Sequence, residues 1–273
     1  MRTAFADVSA APLTDLLSLA GRHAVVTGGA QGLGKAIAFR LAEAGASVLI
    51  GDINADRAQA TADDIAARFP VRALGVAMDV TDADSVRAAA ATASEEYGGI
   101  DIWVNNAGIF PSVPVLQTSD GTWEQVFAVN TRGVFNGSRE AARQMAGGKR
   151  GGVIINIVST AGFTGTAPGL SAYVGSKHAV RGMTKQMALE FAPLGIRVLG
   201  VAPTFVPTEG NMAAVAAHTP AEESDRAVAV MTNNLIGRIG TPDDIARVVL
   251  FCASDMSTIM TGSTLLVDAG QTI

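Results

Sequence analysis

The stretch from His23 to Asp52 constrains this chain more than any other. His23-Ala-Val-Val-Thr27 is a short apolar, β-branched run, followed by Gly28-Gly-Ala-Gln-Gly32-Leu-Gly34 and then Lys35-Ala-Ile-Ala-Phe-Arg-Leu-Ala-Glu-Ala44. Gly45 ends that segment, and Ala46-Ser-Val-Leu-Ile-Gly51 closes in Asp52. The order predicts strand, glycine turn, helix, strand and acid. Glycines at 28, 32 and 34 let the backbone turn tightly and approach a pyrophosphate, whose charge the free amides and dipole of a helix N-terminus receive. An acid 18 positions past the last turn glycine suits a carboxylate that holds the ribose hydroxyls of an adenine dinucleotide.

The chain keeps alternating after that unit. Period and punctuation predict helices over 56–68 and 82–97, strands over 72–78 and 100–104, and one long helix over 122–145. The strongly β-branched Gly152-Val-Ile-Ile-Asn-Ile-Val158 follows, then a helix carrying Tyr173, then a strand over 196–201. Such alternation specifies an α/β fold with a doubly wound parallel sheet and right-handed crossovers. Ligands of these sheets gather beyond the carboxyl ends of the strands, and Asp79, Asn105, Ser159 and Pro203 all fall just past predicted strand ends.

Tyr173 and Lys177 stand four residues apart in Ser171-Ala-Tyr-Val-Gly-Ser-Lys177, a spacing that puts a phenol and an ammonium on one helix face. A tyrosine with its ordinary pKa near 10 is a poor base at neutral pH. An adjacent cation stabilises the phenolate and moves it toward the working range of acid-base catalysis. By itself such a pair is usually a core edge beside a solvated amine. Asn130, inside Phe127-Ala-Val-Asn-Thr-Arg-Gly-Val134, is a poor residue for a helix interior and asks for a reason.

Taken together, Thr27-Gly28-x-x-x-Gly32-x-Gly34, Asn105-Asn-Ala-Gly108, Asn130, Ser159 and Tyr173-x-x-x-Lys177 resemble the short-chain dehydrogenase/reductase superfamily over residues 20 to 270. The resemblance implies a single-domain Rossmann fold over 20–273 behind an N-terminal extension, 1–19. It also implies a nicotinamide cofactor and hydride exchange between a carbinol and a carbonyl. The implied catalytic set is Asn130, Ser159, Tyr173 and Lys177. Ser159 orients the substrate oxygen, Tyr173 exchanges its proton, Lys177 lowers the tyrosine pKa and binds the nicotinamide ribose, and Asn130 holds a water that returns the proton to bulk. Alignment on Asn156 and Gly162 selects Ser159 over Thr160.

The implied cofactor site runs through Gly28, Gln31, Gly32, Leu33 and Gly34, then Asp52 and Ile53, Asp79 and Val80, Asn106, Ala107 and Gly108, and Pro203, Val206 and Thr208, with Tyr173 and Lys177. In it Asp79 accepts from the adenine amino group while Val80 lies against the ring. Asn106 and Gly108 pass close to the adenosine ribose, and Asn105 ties strands together. Val206 pairs its backbone with the carboxamide, and Thr208 bonds phosphate. Asp52, with the neutral Gln31 before the middle glycine and no guanidinium from Ile53 or Asn54, points to NAD over NADP, whose 2′-phosphate would meet like charge. Lys35 is expected to point along its helix. Phe110, Phe163 and Phe205, with Ser159 and Tyr173, are the expected substrate contacts, and residues 209–234 are read as a lid or as a helical pair packed on another subunit.

Three departures from the pattern stand out. Thr204 follows Pro203 where relatives carry glycine, Ala269 precedes Gly270 where relatives carry a glycine pair, and Tyr173 comes 14 positions after Ser159, one more than in some relatives.

Composition agrees with a buried parallel sheet: of 273 residues, 48% are hydrophobic and only 16% charged. The net charge of −5 offers no basic footprint for nucleic acid or an anionic membrane. The single cysteine, Cys252, lies in an apolar run and reads as a small buried hydrophobe, and no disulfide framework is available. No apolar stretch reaches the length of a membrane span, residues 1–20 lack a signal peptide's apolar block, and a cytoplasmic location is expected. His23, His178 and His218 are scattered without ligand spacing, so no metal is expected, and Glu222-Glu223 reads as a solvated helix start. Thr241 before Pro242 and Asp243 is a good helix start.

The resemblance also implies a homotetramer or dimer. The function expected first is an NAD-dependent oxidoreductase interconverting a secondary alcohol and a ketone, on an apolar or cyclic small molecule. A 3-oxoacyl-[acyl-carrier-protein] reductase and a catalytically silent NAD-binding sensor or scaffold are the alternatives.

Overall fold

The computed structural model describes residues 7–148, 151–212 and 234–273. Seven parallel strands form one sheet: β1 (His23–Thr27), β2 (Ser47–Asp52), β3 (Ala73–Ala77), β4 (Ile102–Asn105), β5 (Gly152–Ile157), β6 (Ile196–Pro203) and β7 (Thr264–Val267), ordered β3-β2-β1-β4-β5-β6-β7. The order reverses where β1 pairs with both β2 and β4, and the crevice at that switch point is where such sheets bind ligands. This is a doubly wound Rossmann fold.

Alternate strand residues feed two cores. Val26, Val48, Ile50, Val104, Ile155 and Leu199 meet Ile37 of α2 (Gly32–Glu43), Ile65 of α3 (Ala55–Arg68) and Val249 of α8 (Pro242–Ala253). Val25, Leu49, Trp103, Ile154 and Val198 meet Val86 of α4 (Ala83–Tyr97), Met145 of α6 (Gly133–Gly147) and Met187 of α7 (Ser171–Phe191). Both faces of the sheet are thus covered, which is why its strands read as unbroken apolar runs.

Local signals set the helix ends. Asn54 and Asp82 accept backbone N–H bonds at the starts of α3 and α4, and Thr241 forms a reciprocal capping box with Asp244 behind Pro242. The long helix expected over 122–145 is instead α5 (Asp120–Phe127), a π turn over Ala128–Arg132, and α6. Asn130 is the buried residue of that turn, so its unfavourable helix propensity marks a real break. A short α1 (Leu13–Leu17) precedes Leu19, which is fully buried and donates its N–H to the Ala44 carbonyl at 2.7 Å. The tie reaches one residue into the expected N-terminal extension. Among the described residues no helix is long and apolar enough to cross a membrane.

Candidate active site

The glycine turn leaves β1 in left-handed backbone, with φ of 62° at Gly28 and 56° at Gly32. At Gly34 a Cβ would lie 2.2 Å from the Gly28 carbonyl oxygen, so only glycine lets the turn close. The turn seats on the end of β4: a Cβ at Gly28 would stand 2.9 Å from Ala107 Cα. Thr27 Oγ1 accepts the N–H groups of Asn106 and Ala107 at 3.0 and 3.1 Å. Asn106 Nδ2 donates to the Thr27 and Gly28 carbonyls at 3.0 and 2.9 Å, so the amide expected near the ribose is committed to holding the turn. Leu33 turns its side chain into the first core, which leaves its backbone as what it can offer.

Thr208 faces Gly32 across this cradle, its Cβ 3.4 Å from where a Gly32 Cβ would be. The free amides at the start of α2, a turn from which side chains are excluded, and a facing hydroxyl together fit a pyrophosphate.

At the end of β2, Asp52 accepts Ala30 N–H on Oδ2 at 3.2 Å and Asn54 N–H on Oδ1 at 3.1 Å, which fixes the carboxylate beside the turn. Ile53 is 81% exposed at its rim. Lys35 pairs with Asp64 of α3 at 2.9 Å, away from the turn. Neither Ile53 nor Asn54 carries a guanidinium, but one reaches the turn from farther along the chain: Arg57 Nη1 donates to Gln31 Oε1 at 2.8 Å. The first turn of α3 folds back over the glycine turn and brings the arginine there.

Asp79 and Val80 are also engaged within the fold. Asp79 Oδ1 accepts both the N–H and the hydroxyl of Thr81, at 2.9 and 2.7 Å, closing a turn. Val80 is only 7% exposed and sits in the second core against Gly133, whose missing side chain makes the socket it fills. One Val80 methyl, Cγ2, enters that socket.

The catalytic candidates converge past the ends of β4 and β5. Asn105 accepts from Trp103 Nε1 at 2.8 Å and donates to Ser138 and Asn156, so it ties β4 to β5 and α6. Asn156 in turn donates to Thr184 Oγ1 of α7 at 2.9 Å. The π turn aims Asn130 at the same place. Its Oδ1 accepts Ile109 N–H at 2.8 Å, and its Nδ2 donates to the Ile109 carbonyl at 2.8 Å and to Ser176 Oγ at 3.0 Å. Ser176 donates to the Tyr173 carbonyl at 2.7 Å. Both amide hydrogens of Asn130 are therefore spent on positioning. A Cβ at Gly108 would come 3.3 Å from Asn130 Oδ1 and 3.8 Å from Lys177 Nζ, which locates all three at one spot.

Lys177 is 4% exposed, donates to the Ile157 carbonyl at 2.7 Å, and lies 5.7 Å from the Tyr173 ring centroid. Burial pushes its pKa down to about 8. Burial also pushes the Tyr173 phenol above its ordinary value, with hydrogen bonding to Ser159 opposing the shift. Desolvation disfavours both charged forms and so acts against the lowering expected from Lys177, while Ser159 acts with it. Ser159 Oγ also accepts Ala161 N–H at 3.1 Å.

Of the three aromatic candidates, Phe110 stands edge-on to Tyr173, centroids 5.9 Å apart. Phe163 does not join it: its ring packs on Val134, Val158, Val180 and Ala202 and carries the Arg181 guanidinium 3.8 Å from its centroid. Phe205 is half-buried in the segment after β6. There Val206 is in the first core, its carbonyl accepting from Asn211 Nδ2 at 2.6 Å, while Thr208 Oγ1 accepts Asn211 N–H at 3.2 Å.

Thr204 extends the pairing of β6 with β7 through Val267 at 3.3 Å and bonds Gln271 with its hydroxyl, so no glycine is required after Pro203. Ala269 has φ of 53°, which gives the glycine of relatives at that position a conformational reason. Cys252 is fully buried, its thiol pushed up to about 12 by burial. His178 Nδ1 sits 3.0 Å from the Val174 carbonyl, His23 lies 3.5 Å from Asp101, and no cluster of three or more metal-ligating side chains occurs among the described residues. His218, Glu222, Glu223 and most of the expected lid fall outside them.

Sequence reasoning left Ser176 and Arg57 without a role. Ser176 had a signal, its place between Tyr173 and Lys177; Arg57 had none, since only the fold brings α3 to the turn.

The family model described as short chain dehydrogenase matches residues 22–219. A 3-oxoacyl-[acyl-carrier-protein] reductase of Aquifex aeolicus is 37% identical over 255 residues, covering 93% of this chain and 99% of that one. The 3beta-hydroxysteroid dehydrogenase 2 of Eggerthella lenta is 37% identical over 255 residues, covering 92% and 95%. Among solved structures, a short-chain type dehydrogenase/reductase from Mycobacterium marinum superposes with a TM-score of 0.88 at 36% identity, covering 96% of this chain and 99% of that one.

Proposed function

The chain belongs to the short-chain dehydrogenase family, and we propose that it is an NAD-dependent oxidoreductase interconverting a secondary alcohol and a ketone on an apolar or cyclic small molecule. The observation that carries this reading is the meeting of Ser159, the Tyr173 phenol and the buried Lys177 at the end of β5. When bound, the nicotinamide supplies or accepts the hydride.

In reduction Tyr173, held protonated by burial, donates its phenolic proton to the carbonyl oxygen, while the Ser159 hydroxyl steadies that oxygen as charge develops. In oxidation the same phenol receives the proton as phenolate. Lys177, bonded to Ile157, keeps further N–H directions for a ribose hydroxyl and brings a titratable group to the tyrosine. Asn130 and Ser176 hold the backbone around Ile109 and Tyr173 in register. Asp52 supports NAD, because its carboxylate can take both ribose hydroxyls. Phe110 on the tyrosine edge supports an apolar substrate.

A second reading, reduction of 3-oxoacyl thioesters on acyl carrier protein, is favoured by the relative that carries that name. Turnover of NAD with secondary alcohols, and of NADH with ketones and 3-oxoacyl thioesters, separates the two. A sensor or scaffold would bind NAD and turn over none of them. We further propose a cytoplasmic homotetramer or dimer in which residues 20–273 form the dehydrogenase domain.

Tyr173→Phe is the direct test of the chemistry. It should keep cofactor affinity and lose about 10²- to 10⁴-fold in kcat. Turnover close to wild type would remove Tyr173 from the acid-base role.

A further inference from the structure

A closed circuit of hydrogen bonds surrounds the carboxylate of Asp52. Ala30 N–H and Asn54 N–H donate to it, Asn54 Oδ1 accepts Arg57 N–H at 3.0 Å, and Arg57 Nη1 donates to Gln31 Oε1 at 2.8 Å. Ala30 and Gln31 are chain neighbours, so an acid and a guanidinium stand on the same rim of the glycine turn. Asp52 is fixed by two backbone donors. Arg57 is exposed, forms no ion pair among the described residues, and is tethered by one bond from its side chain to a neutral amide.

We propose that Arg57 is a specificity-determining residue for the cofactor: a guanidinium parked on Gln31 that becomes a ligand for a 2′-phosphate when the Asp52 charge is removed. The inference rests on the dinucleotide reading of this cradle. A neutral hydrogen bond at the surface is a weak tether, whereas a guanidinium on a phosphate makes paired, charge-assisted bonds. The fixed carboxylate repels the phosphate while it is present, so Asp52 sets the preference of the wild-type chain and Arg57 its reserve. A basic residue directly before the middle glycine is then unnecessary, because Gln31 already holds the cation there.

Calorimetric titration of NAD⁺ and NADP⁺ into the wild type, Asp52→Ala, Arg57→Ala and the double variant tests this, with kcat/KM for both cofactors alongside. Circular dichroism and thermal unfolding of each variant control for folding, since Asp52→Ala also removes the acceptor for the NAD⁺ ribose hydroxyls. Asp52→Ala should tighten NADP⁺ by about tenfold or more relative to NAD⁺, and adding Arg57→Ala should erase most of that gain. NADP⁺ binding that is unmoved by Arg57→Ala in both backgrounds would overturn the assignment. Wild-type protein that binds NADP⁺ as tightly as NAD⁺ would instead overturn the NAD reading of Asp52. In that case a loss of NADP⁺ affinity in Arg57→Ala alone still supports Arg57 as the phosphate ligand.

Discussion

Lys177→Met isolates the cost of keeping a cation inside the site. The ammonium is 4% exposed, and burial takes its pKa from 10.5 to about 8. Between those values the unfolded chain binds a proton that the folded chain does not, so stability rises with pH through that window. The penalty is fully present below pH 8, where both states are protonated, and absent above 10.5; its size is about 3 kcal/mol. Methionine keeps an unbranched apolar stem and removes the charge.

The unfolding free energy of wild type minus that of the variant should therefore climb by about 3 kcal/mol from pH 8 to 10.5. Losing the donor to the Ile157 carbonyl costs the variant about 1–3 kcal/mol, but this offset is the same at every pH and leaves the climb intact. Urea unfolding of both proteins at one protein concentration, repeated between pH 7 and 10.5, measures it. Turnover should be lost in the variant across the whole range, since methionine has no N–H to offer a ribose hydroxyl. A pH-independent difference, or one that falls as pH rises, would refute the account of Lys177 as a charge held against its desolvation.

Two other substitutions probe the site and its support. Ser159→Ala should lower kcat by about 10²-fold or more while Thr160→Ala leaves it largely intact, because the Ser159 hydroxyl is the one that meets the Tyr173 phenol. Steady-state rates decide this, and reversed sensitivities would move the assignment to Thr160. Ala269→Gly relieves a left-handed alanine and should raise stability by up to about 1 kcal/mol, seen as a Tm increase of roughly 2–4 °C. A fall in Tm would mean that φ at this position costs nothing.

What could be read from the chain without coordinates is what depends on local pattern. Six of the seven strands and their order of arrival follow from apolar runs and glycine punctuation, and the turn at 28–34 follows from glycines that only a close backbone approach requires. The break at Asn130 showed itself as a residue poorly suited to a helix, although the continuous apolar period on either side still spelled one long helix. Facing direction was not legible. Phe163 and Val80 were assigned by position in a motif, and the structure gives one to Arg181 and the other to the gap over Gly133. Arg57 reaches Gln31 only because α3 folds back across the turn, a contact 26 residues apart with no periodic signature.

The tyrosine and lysine show the limit most sharply. Four-residue spacing establishes that the two groups share a face, and from that alone the cation should ease ionisation of the phenol. Spacing carries no information about the medium between them. In the folded chain Lys177 is nearly sealed from water, and desolvation raises Tyr173 while lowering Lys177, so each group is pushed toward its neutral form. A neutral phenol is a proton donor. The phenolate that oxidation requires must form against burial, helped by Ser159.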